Sequence, residues 1–308
     1  MKVTTLDDTN TSLYIGIYMI CIIDSNENDE LYMLPDCTVP FQSRNPLQKV
    51  CKKINYRINL ERSFSEPADR PFHAFNNGPI PYRIYQTNLN EYLWIRNYRF
   101  SDKELAFKIS GDWSTWTLIA DNSNSMGMDS FEELAYIFPY SILNKDGILF
   151  HGVVMEWQGM GIIFCAHSGV GKTTHTRMWK DNENGNILNG DRALCCKAGG
   201  EWFTYGAPWC GSSGEYQNKG MKLDVVVLLE QSDENEVQVL RPVQGAKELI
   251  RLTFAPSWEE SLMNLAFDSI NDIVMKVPVL KLRCRPDYEA VAVLKDKLNT
   301  IKTDEVRY

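Results

Sequence analysis

The chain has 308 residues, of which 44% are hydrophobic and 23% are charged, and its net charge is −8. This is the composition of a globular protein, long enough for one large domain or two smaller ones. Acidic side chains predominate and no block of basic residues occurs, which argues against nucleic acid or a membrane surface as a partner. The eight cysteines form no C-x-x-C pair and show no zinc-ligand spacing. Because we find no export signal, we expect reduced thiols and a cytoplasmic location.

Residues 1–125 are predicted to form a smaller, β-rich N-terminal domain, for which the sequence suggests no role. Its apolar segments are short, rich in β-branched and aromatic residues, and separated by polar turns, which favours strands over helices. The most apolar of them, Leu13–Ile23, is too short to cross a bilayer as a helix and is predicted to be one buried strand. Tyr82–Gln86 and Trp116–Ala120 are further predicted strands.

Residues 126–308 are predicted to form an α/β domain. It opens with a helix over Asp129–Leu143, which Pro139 is expected to end or kink. A strand over Ile148–Trp157, a tight turn at Gln158-Gly159 and a strand over Gly161–Ala166 indicate a β-hairpin. Further strands are predicted at 187–188, 223–230 and 277–284, and further helices at 171–180, 246–252, 257–275 and 286–298. Strands that alternate with helices are typical of the α/β class.

A glycine-rich segment follows the hairpin and opens a helix. Its residues are Ser168, Gly169, Val170, Gly171, Lys172, Thr173 and Thr174. This is the P-loop, or Walker A, pattern, in which backbone N–H groups and the positive end of a helix dipole hold the phosphates of ATP. Lys172 is then expected to reach the β- and γ-phosphates and the Thr173 hydroxyl to bind Mg²⁺. Ala166 stands where the pattern has its first glycine, which requires that this residue does not adopt a positive φ.

Three further residues are candidates for the chemistry of this site. Asp191 follows the short strand after the loop helix and either takes the proton of an acceptor and binds the metal, or only shapes a turn. His151, in the first hairpin strand, is either a catalytic residue or a hydrogen-bonded core histidine. Glu215 ends the Gly-rich segment 206–215 and is either a second metal-binding acid or a solvated loop residue.

The sequence does not assign a single role to the remaining histidines and cations near these motifs. His167 either contacts phosphate or fills a turn, and His175 on the loop helix is predicted to be structural. Four cations are candidate phosphate-binding groups, although each is also readily a surface charge. These are Arg192, Lys219, Arg241 and Lys247.

Together these motifs resemble a known family. The run HGVVMEWQGMGIIFCAHSGVGKTTHTRMW, followed by ILNGDRA, is similar to the catalytic domain of bacterial HPr kinase/phosphorylase, within the phosphoenolpyruvate-carboxykinase-like group of P-loop kinases. The resemblance covers residues 147–230 and implies an α/β core with a mixed β-sheet. It implies that Lys172 and Thr173 contact phosphate and Mg²⁺, that His151 lies at the edge of the active site, and that Asp191 takes the proton of the attacking hydroxyl.

The sequence departs from that family at one notable position. The family has a second, metal-binding acid directly after the proton-accepting one, and this chain has Arg192 there. The resemblance also implies that Glu215 matches a downstream acid, and that the protein self-associates.

The predicted function is that of a kinase. With ATP and Mg²⁺ it would phosphorylate a serine-like hydroxyl of a peptide, a protein or a small molecule. The alternative that Arg192 suggests is a nucleotide-binding sensor or scaffold that transfers no phosphate. A decarboxylating carboxykinase is a third reading, for which the chain is short and shows no second substrate-binding signature.

Overall fold

The computed structural model describes residues 4–5, 11–24, 33–42, 52–61, 65–87, 90–97, 104–121 and 128–305. The chain divides into two compact units, Met1–Lys145 and Asp146–Tyr308. The predicted division into domains after residue 125 stays a prediction. The compact units themselves divide twenty residues later, because the helix before Lys145 packs on the sheet of the first unit. Among the described helices, none combines the length and apolarity needed to cross a membrane.

The first unit is built on an eight-stranded mixed sheet. Its elements are β1 Thr4–Thr5, β2 Thr11–Ile15, β3 Tyr18–Asp24, β4 Met33–Leu34, β5 Lys52–Ile58, β6 His73–Asn77, β7 Ile80–Gln86, β8 Tyr92–Asn97, β9 Glu104–Ile109, β10 Thr115–Asp121 and α1 Met128–Leu143. The order in the large sheet is β2-β3-β5-β10-β9-β8-β7-β6, and β1 pairs with β4 separately. Strand β5 runs parallel to both of its neighbours, β3 and β10. The predicted β-rich character of this region is confirmed for its described residues.

Two details of the first unit differ from the sequence prediction. The single strand predicted over Leu13–Ile23 is wrong, because Gly16 adopts a φ of 59° and turns the chain into the hairpin β2–β3. Helix α1 continues through Pro139, although an interior proline costs about 3 kcal/mol. The helix buries Leu134 and Phe138 completely, and each such side chain contributes about 1.5–3 kcal/mol. Burial on the sheet therefore outweighs the effect of the proline.

Helix α1 also carries a completely buried carboxylate, Glu133. Its Oε1 accepts a hydrogen bond of 2.7 Å from Trp94 Nε1, and its Oε2 accepts bonds of 3.3 Å from Tyr82 and from Arg96. Burial raises the pKa of Glu133 to about 7, and Arg96, followed by the Trp94 and Tyr82 donors, acts in the opposite direction. Both carboxylate oxygens are thus paired inside the first unit.

The second unit combines a mixed sheet with four helices. Its elements are β11 Gly147–Trp157, β12 Met160–Cys165, α2 Lys172–Glu183, β13 Asn186–Asn189, β14 Arg192–Ala198, β15 Glu201–Tyr205, β16 Gly220–Lys222, β17 Val225–Gln231, β18 Glu236–Val239, α3 Pro242–Leu249, α4 Glu260–Lys276, β19 Val279–Cys284 and α5 Tyr288–Glu305. The sheet order is β16-β15-β14-β11-β12-β17-β19-β18, and β13 also pairs with β11. The α/β class is confirmed at this level, as a mixed α/β chain with two mixed sheets.

The centre of this sheet sets the position of the glycine-rich loop. Strands β12, β17 and β19 run parallel, so their carboxyl ends lie at one edge, where open α/β sheets bind ligands. The predicted hairpin β11–β12 is present, and Gln158 and Gly159 form its turn with φ values of 49° and 83°. Strand β12 is buried throughout, which agrees with a strand covered on both faces. The strands β14, β15, β16 and β18 were not predicted.

Candidate functional site

The glycine-rich loop joins the end of β12 to the first residue of α2. Gly169 and Gly171 adopt φ values of 82° and 110°, a region that side chains with a Cβ rarely enter. A Cβ at either glycine would meet nothing within 4 Å, so the requirement there is conformational and not steric. Ala166 has no positive φ, which explains why an alanine is accepted in place of the pattern's first glycine.

Lys172 lies at the start of α2 and only 8% of the residue is exposed. Its Nζ donates hydrogen bonds to Ala166 O at 2.8 Å and His167 O at 3.3 Å, and lies 2.8 Å from His151 Nε2. Burial lowers the pKa of Lys172, while the carboxylate of Asp191 acts against this shift. The ammonium group is therefore held at the base of the loop by carbonyl and imidazole acceptors.

His151 connects Lys172 to Asp191. Its Nδ1 lies 3.4 Å from Asp191 Oδ1. Burial, followed by the charge of Lys172, lowers the pKa of His151, which favours the neutral ring. Because Lys172 donates to Nε2, the single ring proton must be on Nδ1, facing the carboxylate. His151 is thus a neutral bridge between an ammonium group and an acid, and not an isolated core histidine.

Asp191 is held in place by Asn189, which sequence reasoning did not single out. The fully buried Asn189 accepts hydrogen bonds from the backbone N–H groups of Asp191 at 3.0 Å and Arg192 at 2.7 Å. Its amide nitrogen donates to the carbonyls of Ala207 and Trp209. Asn189 therefore ties the strand end to the 206–215 segment. An Asn before Gly-Asp is a typical turn-forming signal, and it could have pointed to this residue.

Arg192 directly follows Asp191 in the chain and places a positive charge beside its carboxylate. Its Nε is 3.8 Å from Asp191 Oδ2, and its guanidinium carbon lies 4.7 Å from the centroid of the Phe254 ring. Only 8% of the Arg192 side chain is exposed. His151 and Arg192 therefore flank the two oxygens of the carboxylate. Phe254 was not predicted, and nothing in its sequence context indicates this contact.

The 206–215 segment packs directly on the acid. A Cβ at Gly211 would lie 2.9 Å from Asp191 Cγ, and one at Gly190 would lie 2.0 Å from Ser213 Oγ. Both distances are too short for real contacts, so these two positions must be glycine for the segment to approach. The segment thus forms one wall beside Asp191.

One cleft of about 310 Å³ collects most of the predicted residues, and we call it the acid cleft. Its lining residues include His151, Ser168, Gly169, Gly171, Lys172, Thr173, Thr174 and Asp191. Val170 faces elsewhere, and Glu215 does not line this cleft but pairs with Lys180 at 2.5 Å. In the described part of the chain, no three His, Cys, Asp or Glu side chains converge as a metal-binding group. The proposed roles of all these residues stay predictions.

The other candidates lie outside the acid cleft. His175 is buried and accepts a hydrogen bond of 3.1 Å from Trp179, and burial lowers its pKa to about 4. The exposed His167 lends its backbone carbonyl to Lys172. Lys219 pairs with Glu156, and the remaining cations, Arg241 and Lys247, are exposed on or beside α3.

Comparisons with known proteins give a remote likeness in structure and none in sequence. No family model matches the chain, and no curated protein matches it. Among solved structures, it is similar to the Hpr(Ser) kinase/phosphatase from Coxiella burnetii, with a TM-score of 0.32 and 7% sequence identity. The match covers 50% of this chain and 98% of the other. It is a distant likeness to a kinase and extends to half of the chain.

Proposed function

We propose that this protein is a magnesium-dependent kinase that transfers the terminal phosphoryl group of ATP to a serine-like hydroxyl of a peptide, a protein or a small molecule. The observation that carries the proposal is the meeting of Lys172, His151 and Asp191 on one cleft beside the glycine-rich loop. An ammonium group and a carboxylate held on either side of an imidazole provide a phosphate-binding group and a proton acceptor in one place.

The glycine-rich loop and Lys172 would bind the phosphates as a P-loop. The α-helix α2 has twelve residues, and its amino end presents unpaired N–H groups and the positive end of its dipole to the loop. Lys172 adds a full positive charge. Electrostatic positioning of this kind supplies most of the catalysis in phosphoryl transfer.

Thr173 and Asp191 fit the requirements of Mg²⁺. This ion is usually held by one or two protein oxygens, with water and substrate phosphates completing the shell, so a three-acid cluster is not needed. Thr173 and Asp191 both line the acid cleft, whereas Glu215 is engaged by Lys180. When bound, Mg²⁺ would neutralise charge on the β- and γ-phosphates.

Asp191 would act as the general base. In the transfer, the acceptor oxygen forms a bond to the γ-phosphorus, the bond from that phosphorus to the β–γ bridging oxygen breaks, and ADP leaves. The hydroxyl proton passes to Asp191. The neutral His151 would turn the N–H of Nδ1 toward the carboxylate, whose Oδ1 lies 3.4 Å away, and so help to hold the acid in position.

Replacing Asp191 by Asn tests the proposal. Labelled ATP and magnesium would be offered with free serine and with seryl peptides, and ATP affinity would be measured separately by calorimetry. We expect transfer to fall by about a hundredfold or more, since a positioned base contributes about 10²–10⁴, while ATP affinity is retained. The matched control is Asp181→Asn on the exposed face of α2, which should leave both unchanged. Full transfer by Asp191→Asn would refute the base assignment.

Arg192 supports a second candidate, a nucleotide-binding sensor. A guanidinium 3.8 Å from the carboxylate offsets the negative charge that a base and metal ligand needs. Tight binding of ATP without transfer to any acceptor, in the wild type, would favour the sensor over the kinase.

A further inference from the structure

We infer, building on the proposed function, that the nucleoside end of the donor lies in a second and larger cleft on the other side of the glycine-rich loop. This lateral cleft, of about 540 Å³, is bounded by the loop residues Gly169–Gly171 and by the chain just after β17 and β19, at Asp233 and Arg285. Its volume lies in the range of small-molecule sites, about 300–1,000 Å³.

The lateral cleft and the acid cleft meet across the loop. Gly169, Gly171 and Thr174 line both of them. A ligand whose phosphates lie over the loop, with its terminal phosphate toward Asp191, therefore has its other end directed into the lateral cleft. That end also lies at the carboxyl edge of the parallel strands β12, β17 and β19, where open α/β sheets bind nucleotides.

A third cleft near the loop, of about 330 Å³, is a poorer candidate. It shares no lining residue with the acid cleft. Its walls carry the carboxylates Glu230 and Glu248, both paired with Lys281. The charged residues of this lining are two acids and one lysine, whereas Asp233 and Arg285 balance in the lateral cleft, so the third cleft is less suited to a polyanionic ligand.

The walls of the lateral cleft suit a base and a ribose. Val170, Leu229 and Pro286 provide apolar surface. Arg285 is held by Asp287 at 2.7 Å and by the carbonyl of Asp233 at 2.8 Å, so its flat guanidinium is fixed and can stack on a planar ring. The exposed carboxylate of Asp233 is a suitable acceptor for ribose hydroxyls.

An independent observation in the same cleft is the unmatched nitrogen of His175. This residue is 3% exposed and lines the lateral cleft. Trp179 donates to its Nε2, so the neutral ring carries its proton on Nδ1, and that atom has no hydrogen-bond partner. Buried donors nearly always have partners. We attribute this one to a site whose ligand supplies the acceptor.

The test compares ATP with inorganic tripolyphosphate, which has the phosphates and no nucleoside. Asp233→Trp would fill the lateral cleft from an exposed turn, and its matched control is Glu234→Trp, the next residue, also exposed and outside the lining. Affinities for both ligands would be measured by calorimetry with magnesium. We expect wild-type protein to bind ATP at least tenfold more tightly than tripolyphosphate, a difference of about 1.4 kcal/mol.

Asp233→Trp should weaken ATP binding by about tenfold and leave tripolyphosphate binding unchanged, whereas Glu234→Trp should change neither. If Asp233→Trp weakened the binding of both ligands equally, or did not weaken ATP binding, the inference would be overturned while the kinase proposal stands. Loss of ATP binding in Glu248→Trp instead of Asp233→Trp would assign the nucleoside to the third cleft and would also overturn it. If the wild type binds neither ligand, the proposed function fails and the inference fails with it.

Discussion

The two compact units bury charged side chains in opposite ways. In the first unit, Glu133 is completely enclosed, and both of its oxygens accept hydrogen bonds from neighbouring side chains. In the second unit, Lys172, His151 and Asp191 are connected in a row, and all three line an open cleft. The first arrangement is closed on every side, while the second presents its charged groups to whatever enters.

This difference separates a structural role from a candidate functional one. A buried charge that is fully paired leaves nothing for a ligand to complete, so it acts on stability alone. A row of charged groups along a cleft can exchange one of its own hydrogen bonds for a bond to another molecule, and such groups with shifted pKa values are typical of functional sites. We therefore expect changes at Glu133 to alter folding and changes at Lys172 to alter ligand binding.

The largest expected effect is on the stability of the first unit. Glu133→Ala leaves Arg96, Trp94 and Tyr82 without their buried acceptor, and breaking such a pair costs about 3–5 kcal/mol. Urea unfolding of the full chain, followed by hydrogen exchange in Met128–Leu143, measures it. The adjacent Glu132 is exposed, so Glu132→Ala should change stability little. An equal effect of the two variants would contradict a special role for the buried carboxylate.

The second effect is on ligand binding in the second unit. Lys172→Ala should lower phosphoryl transfer by about a hundred- to a thousandfold, the usual loss for one preorganised electrostatic donor. Transfer of label from ATP, together with ATP calorimetry, measures it. The exposed Lys180 on the same helix is the control, and Lys180→Ala should retain activity. Unchanged ATP affinity in Lys172→Ala would contradict the expectation that Lys172 acts in ligand binding.

The third effect is a pair of opposite pH dependences. Glu133 has a pKa of about 7 when folded, against 4.5, so the folded first unit holds a proton that the unfolded chain releases. Its stability should fall as pH rises from about 4.5 to 7. His175 has a folded pKa of about 4, against 6.5, so the stability of the second unit should fall as pH drops from about 6.5 to 4. Each change is on the order of 3 kcal/mol.

Hydrogen exchange in α1 and α2 between pH 4 and 7, corrected for the intrinsic rate, separates the two slopes. Glu133→Gln should remove only the pH dependence of stability measured in α1, and His175→Phe only the one measured in α2. Slopes of the same sign in both helices would show that other groups control the pH response.

The sequence predicted the second unit near the loop well, because the signals there are local. The Gln158-Gly159 turn, the apolar strand and the glycine-rich loop each depend on neighbouring residues. In contrast, Leu13–Ile23 was predicted as one strand, since apolar content alone does not reveal that Gly16 turns the chain. Pro139 was expected to break α1, and only tertiary burial explains why it does not.

The candidate site was predictable in its residue types but not in its connections. Lys172, Thr173, Asp191 and His151 were named, and all line one cleft. The support given by Asn189 and the stacking of Arg192 on Phe254 join residues distant in sequence, which no spacing rule indicates. Glu215 was grouped with the metal ligands because of its loop. Its ion pair with Lys180 joins residues 35 positions apart, and the sequence does not indicate this contact either.

The three acceptors around Lys172 Nζ would compete with a bound polyanion for the hydrogens of this ammonium group. The ammonium group has three hydrogens, and the carbonyls of Ala166 and His167 and the ring of His151 are all within bonding distance of it. A polyanion that takes hold of this group must displace one of these acceptors. The affinity observed would then be the difference between two well-made sets of hydrogen bonds, which favours quick release of whatever is bound.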